Sequence, residues 1–306
     1  MKFSDAYAEL ASTQAVSVAT ARAAFDAILR GEWTAVQTGA FVVALRTAKA
    51  ETEEIIAAGA EAMRSAMTPI VHGEALVLDT CGTGGDGAGT LNLSTAAAIV
   101  VAACGVAVAK HGNRSVSSRC GSADVIEALG IPLDLTPDRQ AVLLSELKIA
   151  FLFAPAHHPA LRHAAMARRE LGVRTIFNAL GPLANPARAT HQLVGVYDDA
   201  LRPVMARALG KLGVKRAWVV RAEDGLDEVS LSSPTRVSEL REDGSVVEHV
   251  IHSNEFGLSA KPGSSVSGSS SEENARAIEA IFDENGDDHP AADAVVLNAA
   301  AALVVA

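Results

Sequence analysis

Asp79-Thr80-Cys81-Gly82-Thr83-Gly84-Gly85-Asp86-Gly87-Ala88-Gly89-Thr90-Leu91-Asn92-Leu93-Ser94-Thr95 is the stretch on which the fold turns. An apolar run at 75–78 precedes it and predicts a short buried strand; an Ala/Val-rich run to Gly105 follows and predicts a helix starting near Ser94. A second apolar run, 106–109, leads into Lys110-His111-Gly112-Asn113-Arg114-Ser115-Val116-Ser117-Ser118. Strand, glycine loop, helix, strand and polar loop make up half of an α/β nucleotide-type site. Gly82, Gly84, Gly85, Gly87 and Gly89 let the backbone take left-handed conformations and come close to a ligand. Exposed N–H groups there suit phosphate oxygens, as does a helix N-terminus just beyond. Asn92, Ser94 and Thr95 can cap that helix or bind phosphate, and Lys110 stands at a strand end, where α/β folds place ligand-binding groups.

Two other readings compete with this phosphate cradle besides a plain turn with a helix cap. Gly82, Gly84 and Gly87 satisfy the dinucleotide pattern G-x-G-x-x-G. The expected helix start is too late for the third glycine to open it, and Lys110 stands where a ribose-binding acid belongs. A P-loop needs a lysine directly after its glycines, and none follows here.

These segments, with Gly121-Ser122-Ala123-Asp124, Arg174-Thr175-Ile176-Phe177-Asn178, Gly181-Pro182-Leu183, Asn185-Pro186 and Asp227-Glu228, resemble the motif string of the anthranilate phosphoribosyltransferases. The likeness runs in order from about residue 25 to 306. It implies an α/β fold: a small helical domain, 1–70 joined by about 158–188, and a larger domain, 71–157 and 189–306, with a mainly parallel sheet. It implies transfer of a phosphoribosyl group from 5-phosphoribosyl 1-diphosphate to anthranilate, a step of tryptophan synthesis. The implied phosphoribosyl-diphosphate site comprises Gly82, Gly85, Asp86, Thr90, Asn92, Leu93, Ser94, Thr95, the loop Lys110, His111, Gly112, Asn113, Arg114, Ser115, Val116, Ser117 and Ser118, and Ser122. Gly82, Asn113, His158 and Arg168 are implied for anthranilate, Arg168 holding its carboxylate. Ser94, Asp227 and Glu228 are implied as ligands of Mg²⁺, two ions in the family pattern, and a homodimer through the N-terminal helices is implied as well. From sequence alone 223–228 reads as a solvated acidic turn; beside a polyphosphate loop and with this resemblance, magnesium binding takes precedence. No general base is assigned, although His111 could accept a proton. Cys120 departs from the family's serine and reads as a small buried replacement, since no Cys/His pair adjoins it.

Composition bounds the alternatives. The chain is 49% apolar but only 4% aromatic, so its core is built from Ala, Val and Leu. A net charge of −10 opposes a nucleic-acid-binding relative of the same fold, which would need a basic face. A pyrimidine nucleoside phosphorylase shares the overall fold, but the glycine string and Arg174-Thr175-Ile176-Phe177-Asn178 match the transferase. Cys81, Cys104 and Cys120 lack metal-ligand spacing and suggest a reducing cytoplasm; His157, His158 and His163 lack further ligands for a metal. Residues 1–5 do not read as a signal peptide, and no uncharged run of about 18 apolar residues suggests a membrane span.

Elsewhere, periodic runs at 7–10, 16–29, 34–48 and 52–67 predict helices. Further helices are expected at 125–129, 160–171, 201–212 and 273–282, and strands at 149–153, 193–196, 217–220 and 229–231. Residues 264–271 read as a Ser/Gly-rich loop. The run 294–306 stops apolar and uncapped, which suggests that more chain follows.

Overall fold

The computed structural model describes residues 1–84, 89–115, 120–260, 265–283 and 285–306. Four helices open the chain: α1 (Phe3–Thr13), α2 (Val18–Leu29), α3 (Ala35–Thr47) and α4 (Glu53–Ala66). Their starts follow local chemistry. Ser17 accepts from the Thr20 N–H at 3.2 Å, and Thr34 forms a reciprocal capping box with Gln37. Phe25, Ile28, Phe41, Leu45 and Ile56 fill the space between these helices, with Phe25 meeting Phe41 edge-on at 6.2 Å. Burying each such side chain stabilises by about 2–3 kcal/mol.

The second part of the chain forms a seven-stranded sheet in the order β3-β2-β1-β4-β5-β6-β7. Strand β1 (Leu78–Gly82) is followed by α5 (Leu93–Ala103), β2 (Val108–Gly112), α6 (Ser122–Ala128), α7 (Pro137–Glu146) and β3 (Ile149–Phe153). Next come α8 (Ala154–His157), α9 (Arg162–Leu171) and α10 (Ile176–Leu180), then β4 (His191–Gly195), α11 (Leu201–Lys211) and β5 (Arg216–Ala222). The hairpin β6 (Thr235–Leu240) and β7 (Val246–Ile251), then α12 (Ser271–Ile281) and α13 (Ala292–Val305), complete the elements used below. The first five strands pair in parallel; β6 and β7 add antiparallel. Alternation sends Val194, Ala217 and Val219 to the core shared with the helical bundle and α11, and Leu193, Trp218 and Val220 to the core under α5 and α13. α9 packs on α2 and α3, and α10 on α4, so these two short helices join the bundle. Phe177 of α10 meets Phe25 edge-on at 6.0 Å.

Several expectations change. The first strand is Leu78–Gly82 rather than 75–78, which draws Asp79, fully buried, into the sheet; side-chain partners from elsewhere make that burial tolerable. The second strand likewise slides to Val108–Gly112 and takes Lys110 and His111 inside. Residues 229–231 form no strand, and the acidic loop instead leads to the unanticipated β6–β7 hairpin, whose Asp243-Gly244 turn was its readable signal. Helix α7 also went unread, although Thr136 caps it and Pro137 opens it. At the end of the sequence α13 lies against α5 and β4, with Val295, Leu297 and Ala301 fully buried and Val296 and Val304 on its exposed face. Among the described residues no helix is long and apolar enough to cross a membrane.

Candidate active site

The chain leaves β1 toward β2 on one side and later returns through β4 on the other, so the sheet's topological switch lies between β1 and β4. Ligands of open α/β sheets bind at the carboxyl ends of strands at such a point. Gly82 and Gly195 end these two strands in register. The acidic loop crosses over them: a Cβ on Gly195 would lie 1.6 Å from the Asp227 carbonyl oxygen, and one on Gly82 3.1 Å from the Asp227 carboxylate. Glycine at 195 is therefore what lets Asp227 come down onto the site. On the other side of the switch, Gly84 and Gly89 both have the positive φ that glycine tolerates. Gly85, Asp86, Val116, Ser117 and Ser118 lie outside the described residues.

Strand β1, the start of α5 and the end of β2 converge on one cluster. Lys110 is 2% exposed; its ammonium donates to the Thr80 carbonyl and to Ser94 Oγ at 3.3 Å. The Ser94 N–H, in the first turn of α5, donates to Glu228 Oε1 at 3.3 Å. Glu228 thus meets the positive end of a helix dipole and the edge of the lysine cluster. Burial pushes the Lys110 pKa down, against the pull of Asp79, Cys81 and Glu228. Asp79 accepts from the His111 N–H at 3.1 Å and the Asn185 amide at 2.8 Å; burial raises its pKa against Lys110 and these hydrogen bonds. Asn185, which the sequence offers only as part of the Asn185-Pro186 motif, is therefore a structural partner of the site.

Other candidates are placed differently. Leu93 and Thr95 turn their side chains inward, each 1% exposed, so only their backbone borders the loop. Asn92 occupies the cap position of α5 but does not cap it; its side chain turns to α12. Thr90 bridges to Ser267. Asp124, not Ser122, caps α6, accepting from Gly121 N–H at 2.9 Å and Ser115 N–H at 3.0 Å, while Ser122 Oγ donates to the Asn113 carbonyl at 3.4 Å. Gly112 admits this crossing because a Cβ there would lie 2.2 Å from Ser122 Oγ. Asn113 is exposed, and Arg114 pairs with Asp124 at 3.0 Å and Glu127 at 2.8 Å, which raises its pKa. Cys120 is buried, and burial, reinforced by the charge of Asp124, holds its thiol up at about 11.

Histidines and one arginine line the side nearest the bundle. The His111 and His158 rings stand 5.1 Å apart, and each has a buried Nε2 with no hydrogen-bond partner among the described residues. Burial, then His157, lowers His158 to about 4; burial, then His158, holds His111 well below the usual range. Both rings are neutral near pH 7. Arg168 of α9 lies over the Phe177 ring at 5.7 Å, and its guanidinium forms no hydrogen bond or ion pair with a described residue. Burial lowers its pKa. A partly desolvated guanidinium offers five donors in a planar fork, a geometry that matches a carboxylate.

Ser94, Asp227 and Glu228 supply hydroxyl and carboxylate oxygens, the donor set that a hard divalent cation takes, and the structure brings all three to the β1/β4 crevice. The residues present therefore fit magnesium.

A sequence family described as "Glycosyl transferase family, a/b domain" matches residues 74–306, and one described as "Glycosyl transferase family, helical bundle domain" matches 4–67. An anthranilate phosphoribosyltransferase of Symbiobacterium thermophilum is 51% identical over 298 residues, 97% of this chain and 86% of that one. Among solved structures, the anthranilate phosphoribosyltransferase of Thermus thermophilus superposes with a TM-score of 0.89 at 43% identity, covering 95% of this chain and 86% of that one. The Saccharomyces cerevisiae enzyme in complex with PRPP and Mg superposes with a TM-score of 0.84 at 28% identity, covering 94% and 84%.

Proposed function

The chain belongs to the anthranilate phosphoribosyltransferase family, and on that footing we propose how its site transfers the 5-phosphoribosyl group of 5-phosphoribosyl 1-diphosphate (PRPP) to anthranilate, with release of diphosphate. The relatives favour this reaction over a nucleoside phosphorylase or a nucleic-acid-binding relative. The observation that carries the residue assignment is the convergence of α5's first turn, Lys110 and the acidic loop on the β1/β4 crevice.

In the reaction the bond from ribose C1 to the diphosphate oxygen breaks, its electron pair leaving with the diphosphate, and the anthranilate nitrogen bonds to C1. Charge grows on the leaving group, so fixed donors aimed at it lower the barrier. We assign that work to the loop from Gly82 to Thr95, to Lys110 and to the segment from His111 to Ser118, with Ser122. Lys110 must turn from the Thr80 carbonyl and Ser94 Oγ toward phosphate when substrate enters. Ser94, Asp227 and Glu228 would hold magnesium, two ions by the family pattern, which supplies countercharge to the diphosphate. The aryl amine is already neutral, so the chain needs to orient it rather than activate it. Arg168 binds the anthranilate carboxylate; Asn113, Gly82 and His158 border the ring. The neutral His111 ring can accept the proton that the amine loses.

The helical unit, 1–70 with about 158–188, carries the anthranilate side, and 71–157 with 189–306 carries the phosphate side. A homodimer through the N-terminal helices and a cytoplasmic location complete the proposal. The test is the loss of anthranilate fluorescence on adding PRPP, with and without Mg²⁺. Loss that needs both supports the reading. No loss in folded protein refutes the activity, and loss without Mg²⁺ refutes the metal role.

A further inference from the structure

The Asn92 side chain is oriented from a place 182 residues away in the chain. Asn274, in the first turn of α12, is 2% exposed. Its Oδ1 accepts from the Ser269 N–H at 2.8 Å. A backbone N–H can only donate, so that contact fixes which end of the Asn274 amide is oxygen and which is nitrogen. The nitrogen end donates to Asn92 Oδ1 at 3.0 Å. Cys120 Sγ lies 3.5 Å from the same oxygen and 3.4 Å from the Gly121 carbonyl, so its single S–H is shared between these two acceptors. Both contacts occupy the Asn92 oxygen, and its NH₂ group forms no hydrogen bond with a described residue. That group sits at the open end of α5, two residues before Ser94.

Ser269 is itself held by a second set of contacts. The Gly268 N–H donates to the Gly89 carbonyl at 2.7 Å, and the Leu91 N–H donates to the Val266 carbonyl at 2.8 Å, around the Thr90–Ser267 bridge. Gly268 has no room for a side chain: a Cβ would lie 2.3 Å from the Thr90 carbonyl oxygen. The strap at 265–270 is thus paired along Gly89, Thr90 and Leu91, and its last contact sets the polarity of Asn274.

We propose that Asn274 is a positioning residue for phosphoribosyl transfer: reading its polarity from the strap, it turns the Asn92 amide so that the NH₂ end, and not the oxygen, faces the phosphates of PRPP. This rests on the phosphoribosyl-diphosphate reading of the site. It touches no substrate; it decides whether Asn92 presents a donor, which phosphate attracts, or an acceptor, which phosphate repels.

The experiment is a mutant cycle read by PRPP affinity, from calorimetry and from KM. Asn274→Ala in the otherwise unchanged protein is to weaken PRPP by about tenfold, the scale of one misdirected hydrogen bond to a charged group. The KM for anthranilate is to stay within about twofold, since its binding groups lie elsewhere. In an Asn92→Ala background the same Asn274→Ala change is to cost nothing further. Asn274→Asp, which accepts at both ends, is to weaken PRPP more than alanine does. Cys120 gives a second route should the Asn274 variants not fold: Cys120→Ser, a stronger donor, is to tighten PRPP, and Cys120→Ala to weaken it. The inference is overturned if PRPP affinity is indifferent to these changes, or if the Asn274→Ala penalty survives unchanged in the Asn92→Ala background, which would mark a merely structural role. Wild-type protein that binds no PRPP would overturn the site reading itself, and this inference with it.

Discussion

Asn185→Ala tests the polar cluster beneath the site. Asn185 is 1% exposed and makes three hydrogen bonds of 2.8 Å: its amide nitrogen donates to Asp79 Oδ2 and the Ala109 carbonyl, and its oxygen accepts from the Ala187 N–H. Alanine strands a carboxylate oxygen, a carbonyl and an N–H in the interior. A buried neutral group left unpaired costs about 1–3 kcal/mol, a charged one more, and neighbouring losses do not simply add. The expected destabilisation is about 4 kcal/mol, a large part of the roughly 5–15 kcal/mol typical of a folded domain. Urea unfolding measures it, through a lower midpoint at an unchanged slope. The pH dependence gives a second check. Burial already raises the Asp79 pKa, and the Asn185 bond is one of the contacts lowering it. Losing that bond raises the folded-state pKa further, so the variant's deficit is full above that pKa and shrinks as pH falls through it. A loss under about 1 kcal/mol, or one that stays constant across a pH titration reaching below the folded-state pKa of Asp79, would refute a charged, structurally required cluster.

Three further outcomes are expected. Gly195→Ala pushes the Asp227 backbone off the site, because its Cβ would lie 1.6 Å from the Asp227 oxygen; the Mg²⁺ concentration for half-maximal activity should rise at least about fivefold and stability should fall by about 2 kcal/mol or more, and unchanged metal dependence would refute the placement of Asp227. Arg168→Ala should weaken anthranilate about 30- to 100-fold with PRPP affinity little changed, with Arg168→Lys between; equal losses for both substrates would contradict a carboxylate role. His158 titrates near 4 when folded against an ordinary 6.5, so the folded state resists its protonation and stability should drain away as pH falls from about 6.5 toward about 4. His158→Gln should make that decline shallower in urea titrations, and an unaltered slope would count against a buried neutral ring.

Local chemistry was legible from the chain alone. Gly84 and Gly89 take the left-handed conformations that their density around residue 85 suggests, and the four N-terminal helices form where their apolar periods lie. Each of these signals sits within a few residues of what it controls, because turns, caps and amphipathic faces are decided by near neighbours. What the sequence could not give was which polar residues are drawn inside. Asp79, Lys110 and His111 read as loop or strand-end residues, yet the strands slide to include all three. Their burial is tolerable only because Asn185, the Ser94 hydroxyl and the Thr80 carbonyl arrive from other segments. The hold of Asn274 on Asn92, and of the glycine at 195 on Asp227, likewise span sequence distances that carry no local pattern. The residue types of the site are thus written in the sequence, while the direction in which each side chain points is set by the order of strands in the sheet, since a buried polar group faces wherever the fold brings it a partner.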